Sequence, residues 1–503
     1  MQKATAILVF AAAVFLPVPA GAATCESLTS LTLPNTTITM AKAVAAGEFT
    51  LPGPTPPGAN FEDMRAFCRV AATLAPSKDS DIKIEVWMPA SDWNGKFQAV
   101  GNGGWSGAIV YPSLVRALAH GYATASTDTG HSGGSGSFAL GHPEKLVDFG
   151  YRAVHEMTVQ AKAIIAAYYG DGPKLSYWNG CSSGGKQGLK EAQRFPADYD
   201  GIIAGAPANY WTHLMTGELW IAQATHKDEA SLIPASKYPI IHKAVLEACD
   251  ALDGVKDGVL EDPRKCHFDP KVIQCKGDDT SNCLTAGQVE TARKIYAASK
   301  NPRTGQEIFP GLEPGSELGW AGLTGAQPFP IPVDHFKYVV FKDPNYDWRT
   351  LNFDSDVALA DKIDNGTINA TDPNLKAFFG HGGKLLLYHG WNDQLIAPRN
   401  AVNYYQSVLD TMGGASRVAD SVRLFMAPGM NHCAGGDGPS VIDTVSVIEK
   451  WVEQGQAPDQ IVASHVSGGA VDRTRPLCAY PKVAQYKGSG STDEAANFVC
   501  KLP

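Results

Sequence analysis

Short apolar runs recur along the chain, and stretches whose apolar residues follow helical spacing separate them. Residues 156–170 and 443–455 carry apolar residues at three- and four-residue spacing and end in glycine, so we predict a helix in each. The short runs are rich in β-branched and aromatic residues, so we predict strands at residues 82–88, 97–100, 122–127, 175–178, 201–204, 384–388 and 423–426. Strands that alternate with helices indicate a mostly parallel sheet with helices on its faces, and therefore the α/β fold class.

The alternation stops between residues 209 and 380, where Trp, Pro, Asn and Gly are frequent and four of the cysteines cluster. An unstructured loop of this length is rare in a compact protein. We therefore predict that residues 209–380 fold as an inserted lid domain. Residues 24–208 and 381–503 are expected to form the two parts of the main domain.

The first 23 residues are typical of a cleaved secretory signal peptide. Lys3 precedes an apolar stretch at residues 4–16, and small residues follow at 20–23. A membrane anchor is the alternative, but it needs about 20 apolar residues, and Pro17 and Pro19 interrupt the stretch first. We predict a secreted or periplasmic protein that has no membrane contact after signal cleavage.

The charge of the chain excludes some classes of partner. Its 503 residues carry a net charge of −9 and contain no basic run. Neither nucleic acid nor an anionic membrane surface is therefore an expected partner. A small or neutral molecule fits this composition better.

Export also changes how the cysteines are interpreted. All ten cysteines lie beyond the predicted cleavage site. An even number of cysteines in an exported chain favours disulfides over metal thiolates. Five bridges are the simplest pairing.

A candidate nucleophile lies directly after the predicted strand at residues 175–178. The sequence Gly180-Cys181-Ser182-Ser183-Gly184 fits G-x-S-x-G, a strand-to-helix turn in which a strained central serine is lifted above the sheet. Ser182 is then the nucleophile. Ser183 would begin the helix, where its backbone N–H can donate to an oxyanion.

A serine hydroxyl needs a base and an acid that orients this base. In this type of fold they follow the serine in the order acid, then histidine, each after a strand. Asp393 and His432 occupy these places, although either one alone could be an ordinary loop residue. His131 also follows a strand, but it precedes Ser182 in the chain.

The second oxyanion donor usually comes from a glycine-rich loop after an earlier strand. Residues 97–107 supply such a loop, and its candidate donors are the backbone N–H groups of Gly103 and Gly104. A plain turn is the alternative for this segment.

The neighbours of the proposed nucleophile and base are both cysteines, Cys181 and Cys433. This arrangement resembles the tannase and feruloyl esterase family, in which a CS-D-HC pattern bridges the two neighbours. The segments GNGGW, STDTGH and GAPA are also similar to this family. The resemblance implies an α/β-hydrolase fold with a large inserted lid and a bridge between Cys181 and Cys433.

The resemblance also implies a structural calcium site in the lid, at the segment that begins with Cys249. Its ligands would be the carboxylates of Asp250, Asp253 and Asp257 and the backbone carbonyls of Val255 and Val259. Carboxylates combined with carbonyls suit a hard cation that takes six to eight oxygen ligands. The spacing departs from the EF-hand pattern, and a solvated acidic turn is the alternative.

The resemblance implies four more disulfide pairs, each of which joins two cysteines that are consecutive in the sequence. The short sequence separations of the last three support them independently. The pairs are Cys25–Cys68, Cys249–Cys266, Cys275–Cys283 and Cys478–Cys500.

By this resemblance the protein hydrolyses esters of aromatic phenolic acids, such as ferulate or gallate esters, without an organic cofactor. The small-molecule substrate could instead be another aromatic monoester, such as a terephthalate monoester. A serine peptidase of the same fold and a non-catalytic, calcium-stabilised binding module are the alternatives from other classes. Four lid aromatics could line an aromatic site or form local core: Trp320, Phe329, Tyr346 and Trp348.

Overall fold

The protein is described by a computed structural model that covers residues 23–52, 61–278 and 280–503. The predicted signal peptide lies outside the described residues, apart from its last residue, Ala23. Among the described helices, none combines the length and the apolar composition that a bilayer crossing requires.

The strands of the described chain include every strand predicted from the apolar runs. They are β1 (Thr36–Val44), β2 (Phe67–Leu74), β3 (Ile82–Pro89), β4 (Lys96–Val100), β5 (Ala123–Thr127), β6 (Leu175–Cys181), β7 (Gly201–Gly205), β8 (Ser299–Lys300), β9 (Glu307–Phe309), β10 (Lys384–Gly390), β11 (Val422–Ala427), β12 (Gln460–Ser467), β13 (Ala470–Cys478), β14 (Val483–Tyr486) and β15 (Phe498–Lys501). The seven predicted segments correspond to β3–β7, β10 and β11.

Nine of these described strands form one sheet in the order β1-β2-β3-β5-β4-β6-β7-β10-β11. The pairs β1/β2, β2/β3 and β3/β5 are antiparallel. All pairs from β5 to β11 are parallel. The sheet is therefore mostly parallel, which confirms the predicted α/β class, with an antiparallel edge that the sequence analysis did not predict.

The helices of the described chain lie mainly between these strands. They are α1 (Tyr111–Ala119), α2 (Pro143–Val147), α3 (Ala153–Tyr169), α4 (Ser183–Arg194), α5 (Trp211–Thr225), α6 (Tyr238–Cys249), α7 (Ala286–Tyr296), α8 (Ala321–Thr324), α9 (Pro330–Asp334), α10 (Ser355–Asp364), α11 (Lys376–Gly380), α12 (Arg399–Thr411) and α13 (Thr444–Gln454). The two predicted helices correspond to α3 and α13. Each is followed by a glycine in the left-handed region, Gly170 with φ 84° and Gly455 with φ 68°, which closes the helix at no steric cost.

Helices cover the sheet on both of its faces. Side chains alternate along a strand, so the neighbours Ile202 and Ile203 of β7 belong to different hydrophobic clusters. Ile202 packs in the cluster that contains Leu189 of α4. Ile203 packs in the cluster that contains Ile448 and Trp451 of α13. Burial on both faces explains why the parallel strands read as continuous apolar runs.

The segment between β7 and β10 contains α5–α11 and the short β8/β9 pair. Its side chains share one hydrophobic cluster with Trp105 and Phe149, which precede the segment in the chain. Two of the aromatics considered for an aromatic site, Trp320 and Trp348, are buried in this cluster. For these two, local core is the correct interpretation. The limits of the lid domain stay a prediction.

The described cysteines form five disulfides, and none of them is free. The pairing confirms the prediction at every position: Cys25–Cys68, Cys181–Cys433, Cys249–Cys266, Cys275–Cys283 and Cys478–Cys500. Four of these bridges join residues at most 43 positions apart, whereas the Cys181–Cys433 bridge spans 252.

This difference in span gives a prediction for stability. Loop-closure entropy assigns about 5 kcal/mol to the long bridge and about 2.5 kcal/mol to the short Cys275–Cys283 bridge. We expect Cys181→Ala with Cys433→Ala to lower the free energy of unfolding by about twice as much as Cys275→Ala with Cys283→Ala, because only the long bridge restricts half of the unfolded chain. Urea denaturation of both double variants measures this. Equal losses would contradict the entropic explanation.

Candidate active site

The turn that holds Ser182 lies between β6, which ends at Cys181, and α4, which begins at Ser183. Ser182 has φ 63° and ψ −124°, a strained backbone conformation for a residue with a side chain. Two backbone hydrogen bonds to residues outside α4 hold it there. The N–H of Ser182 donates to the Gly205 carbonyl at 3.0 Å, and the N–H of Ala208 donates to the Ser182 carbonyl at 3.2 Å. The end of β7 therefore maintains the strain at Ser182.

Glycine is required where the backbones in this turn approach each other. A β-carbon on Gly180 would lie 2.5 Å from the carbonyl oxygen of Gly184. A β-carbon on Gly101 would lie 2.5 Å from the Cα atom of Gly184. The G-x-S-x-G pattern thus reflects close packing against the glycine-rich loop after β4.

The loops after β10 and β11 bring Asp393 and His432 together. Nδ1 of His432 donates to Oδ2 of Asp393 at 2.7 Å. The other oxygen of Asp393, Oδ1, accepts the N–H groups of Leu395 and Ile396, both at 2.9 Å. The sequence prediction that these two residues meet is therefore consistent with the structure.

A second histidine, His389, also binds this carboxylate, and the sequence analysis missed it. Its Nε2 lies 2.9 Å from Oδ2 of Asp393 and 3.0 Å from the carbonyl of Ile396. Both of these atoms are acceptors, so Nε2 carries the proton. Its position could have indicated this contact, because His389 lies near the end of β10, four residues before Asp393.

These contacts determine the charge of the acid and base. Burial alone would raise the pKa of Asp393, but the charge of His432 and the hydrogen bonds from His389 and His432 hold it well below its usual range. Burial alone would lower the pKa of His432, but the charge of Asp393 and their hydrogen bond raise it above 6.5. Asp393 is thus an ionised hydrogen-bond acceptor. Nδ1 of His432 carries a proton, and this proton faces the carboxylate.

The Cys181–Cys433 disulfide joins the residue before Ser182 to the residue after His432. The Cα atoms of the two cysteines are 6.0 Å apart. Cys433 itself has φ 65°, so the histidine loop is bent sharply at the bridge. The bridge therefore limits how far the two loops can separate.

Ser182 and His432 line one cavity of about 300 Å³, part of it open to solvent. Most of its remaining wall is apolar and comes from α5, from the start of α9 with the residue before it, and from the loop after β10. The largest of these side chains are Trp211, Leu214, Met215, Phe329, Ile331 and Leu395. Of the four lid aromatics named above, Phe329 contributes to this wall.

The oxyanion candidates differ in their positions. Gly104 and Ser183 line the cavity, and the Ser183 hydroxyl donates to the Gly104 carbonyl at 3.0 Å. Gly103 is not part of the cavity wall. The N–H of Ser183 is the first of α4, a position that has no acceptor within its own helix. His131, the rejected base, lies elsewhere: its Nε2 bonds the Trp105 carbonyl at 2.8 Å.

The loop predicted to bind calcium follows α6. Its three aspartates lie within electrostatic range of each other, and the pKa of Asp253 is raised by burial and by the charges of Asp257 and Asp250. Asp257 forms an ion pair with buried Arg475. In the described part of the chain, no hydrogen bond to the carbonyls of Val255 or Val259 is found.

A different group brings three potential metal ligands closer together. Ligand atoms of His155, Glu191 and Asp198 lie within 4.8 Å of one another, the closest such grouping of side chains in the described chain. His155 Nδ1 bonds Asp198 Oδ2 at 2.7 Å. Burial, followed by the contact with Asp198, raises the pKa of Glu191 well above its usual range. A cluster of two carboxyl groups and one imidazole that could hold a metal is therefore present, and it lies outside the predicted calcium loop.

Comparison with known proteins identifies the family of the chain. A sequence model of the family described as tannase and feruloyl esterase matches residues 68–501. An uncharacterized esterase of Xanthomonas campestris pv. campestris is 40% identical over 96% of this chain and 92% of that protein. A protein of Neosartorya fischeri named probable feruloyl esterase B-2 is 36% identical over 98% of both chains.

Solved structures extend the comparison to the fold. Feruloyl esterase B from Aspergillus oryzae superposes with a TM-score of 0.90 at 32% identity and covers 95% of this chain and 99% of its own. Tannin acyl hydrolase from Aspergillus niger is similar in fold, with a TM-score of 0.79 at 24% identity over 94% of this chain and 93% of its own. The chain therefore belongs to the tannase and feruloyl esterase family, has the α/β-hydrolase fold and is a carboxylic ester hydrolase.

Proposed function

We propose that the protein hydrolyses esters of aromatic phenolic acids with Ser182 as nucleophile, His432 as base and Asp393 as the orienting acid. The single observation that supports this most directly is the Asp393–His432 hydrogen bond, beside a cavity that Ser182 also lines. The orientation of His432 leaves its Nε2 as the free acceptor, which is the atom that must take the serine proton.

The proposed reaction has two acyl-transfer steps. In the first step, Ser182 Oγ bonds to the ester carbonyl carbon, its proton passes to His432 Nε2, and the alcohol leaves with that proton. In the second step, water attacks the acyl enzyme, gives its proton to His432, and releases the acid as Ser182 recovers its proton. The N–H groups of Ser183 and Gly104 are the proposed oxyanion donors, which replace the open choice between Gly103 and Gly104.

The cavity wall supports an aromatic acyl group over the alternatives. Trp211 and Phe329 supply aromatic surface, and Leu214 and Ile331 supply aliphatic surface. No lysine or arginine of the described chain lines this cavity, so a terephthalate monoester would find no cation for its free carboxylate.

Secretion or periplasmic export is part of the proposal. It is supported by the five disulfides, which form and persist in oxidising compartments. The predicted signal peptide supports it independently.

Calcium binding by the loop after α6 is also proposed, with a structural role. Three clustered aspartates match the oxygen ligands that calcium requires, and so do the carbonyls of Val255 and Val259, which accept no hydrogen bond from the described residues. The bound ion would supply positive charge to Asp250, Asp253 and Asp257, beyond the single charge that Arg475 gives to Asp257. No step of the reaction depends on it.

Replacement of the nucleophile tests the reaction. We expect Ser182→Ala to lower kcat by about 10⁶-fold because the acyl enzyme cannot form. Turnover of methyl ferulate, methyl gallate and a terephthalate monoester measures both the reaction and the substrate class. Ser407→Ala, on helix α12 and outside the cavity wall, is the matched control and should retain full activity. Undiminished turnover by Ser182→Ala, or preference for the terephthalate monoester, would refute the respective part of the proposal.

The pH dependence of kcat/KM tests the acid and base. Only neutral His432 can accept the serine proton, so kcat/KM should fall as the pH drops through the raised pKa of His432, above 6.5. Asp393→Asn removes the charge that raises this pKa. The acidic limb should therefore move to lower pH while kcat falls by about 10⁴-fold.

A second aspartate–histidine pair provides the control for that profile. Asp361 lies 2.9 Å from His213, outside the cavity. Asp361→Asn should leave the acidic limb where it is. A limb that Asp393→Asn does not shift would assign the titration to a group other than His432.

Calcium removal tests the metal proposal. At a free calcium concentration about 100 times Kd, binding stabilises the folded state by about 2.7 kcal/mol. For a chain of this length we expect removal by EGTA to lower Tm by about 3 °C. Differential scanning calorimetry measures the shift, and calcium should restore it. Asp253→Asn should abolish the response, whereas Asp278→Asn, at an exposed position, should preserve it. A Tm unaffected by EGTA would contradict the site.

A further inference from the structure

One carboxyl group of the cavity wall has no place in the proposed reaction. Trp211, Leu214, Met215 and Glu218 all line the cavity from helix α5. Their spacing of three, four and seven residues places them on one face of the helix. Glu218 is thus an acidic side chain in a row that is otherwise apolar.

Glu218 is also buried without a partner. It is 5% exposed, and its Oε2 has no hydrogen-bond partner in the described part of the chain. A buried polar group left unpaired costs about 1–3 kcal/mol, so such groups are usually satisfied. Because this one faces a ligand cavity, a bound molecule is the natural source of its missing partner.

The chemistry of that partner follows from the charge of Glu218. Burial, with a smaller contribution from the charge of Asp393, raises the pKa of Glu218 well above its usual range. The group is therefore a neutral carboxylic acid, which offers one O–H donor and a carbonyl acceptor. A neutral hydroxyl, which also donates and accepts, matches it, whereas a carboxylate or ammonium group would be desolvated without a counter-charge.

The position of α5 fits a hydroxyl on the ring of the acyl group. The residue that bonds the Ser182 carbonyl, Ala208, lies three residues before α5 begins at Trp211. Glu218 lies seven residues beyond Trp211, about 10 Å along the helix axis. The helix thus leads from the nucleophile turn, along the apolar wall, to the carboxyl group.

We infer that Glu218 is a specificity-determining residue that hydrogen-bonds a hydroxyl group on the aromatic ring of the acyl group. The inference rests on the proposed function, since it needs an aromatic acyl group bound at Ser182. It adds a reason for the enzyme to distinguish phenolic acids from aromatic acids that lack the hydroxyl.

The test compares two esters that differ by one hydroxyl group, methyl 4-hydroxycinnamate and methyl cinnamate. We expect the native enzyme to favour the hydroxylated ester in kcat/KM by about 3- to 10-fold, the range of one neutral hydrogen bond. Glu218→Met, which preserves the length of the side chain, should bring the ratio to about 1, because the donor and acceptor are lost. Glu218→Gln, which keeps a donor and an acceptor, should retain most of the preference.

Glu313→Gln is the control, because Glu313 is also a buried glutamate, at 4% exposure, but does not line the cavity. It should leave the ratio unchanged. The native enzyme also gives a result that does not depend on the folding of a variant: methyl 4-methoxycinnamate, whose oxygen cannot donate, should lose part of the preference shown by the 4-hydroxy ester.

The outcomes separate this inference from the function on which it rests. If Glu218→Met lowers kcat/KM equally for both esters, or if the native enzyme shows no preference, Glu218 is not the hydroxyl partner. If the native enzyme hydrolyses none of these esters while a fluorophosphonate still labels Ser182, the aromatic substrate class fails, and the inference fails with it.

Discussion

The parallel pairing of β6, β7, β10 and β11 is the constraint on which the site depends. Parallel strands end at the same edge of a sheet, so the turn after β6 is a neighbour of the loops after β10 and β11, although more than 200 residues separate it from them in the chain. The strand between them also acts directly, because Gly205 at the end of β7 binds the N–H of Ser182. The strained conformation of Ser182 is therefore maintained by a hydrogen bond to the neighbouring strand of the sheet, and not by the turn alone.

Two buried carboxyl groups near the same cavity differ in charge, since Asp393 is ionised and Glu218 is neutral, and their surroundings explain the difference. Asp393 is completely buried, yet it accepts two backbone N–H groups and two imidazole N–H groups. Glu218 has no such donors. Hydrogen bonds to a carboxylate offset the cost of its burial, whereas an unpaired carboxyl keeps its proton. One group can then hold an imidazole, and the other can meet a neutral ligand.

Much of this arrangement could be predicted from the sequence, and what could not has physical reasons. The parallel strands were predicted because they are buried on both faces and read as apolar runs. The antiparallel β1 was missed because its residues alternate with exposed polar ones and give no such run. The resemblance supplied the disulfide pairing. His389 and Glu218 were missed because their importance lies in contacts made across the fold, which neither periodicity nor a motif encodes.

The long disulfide has a consequence for the order in which the molecule can mature. It encloses β7, β10, β11 and all the helices from α4 to α12. Closing a loop costs more entropy as the loop grows, so the local bridges of 8, 17 and 22 residues can form early, whereas this one waits for the intervening structure to bring its ends together. Its closure thus reports that the sheet and the inserted segment have already assembled. A mispaired Cys181 or Cys433 would mark a molecule whose serine and histidine loops have not yet met.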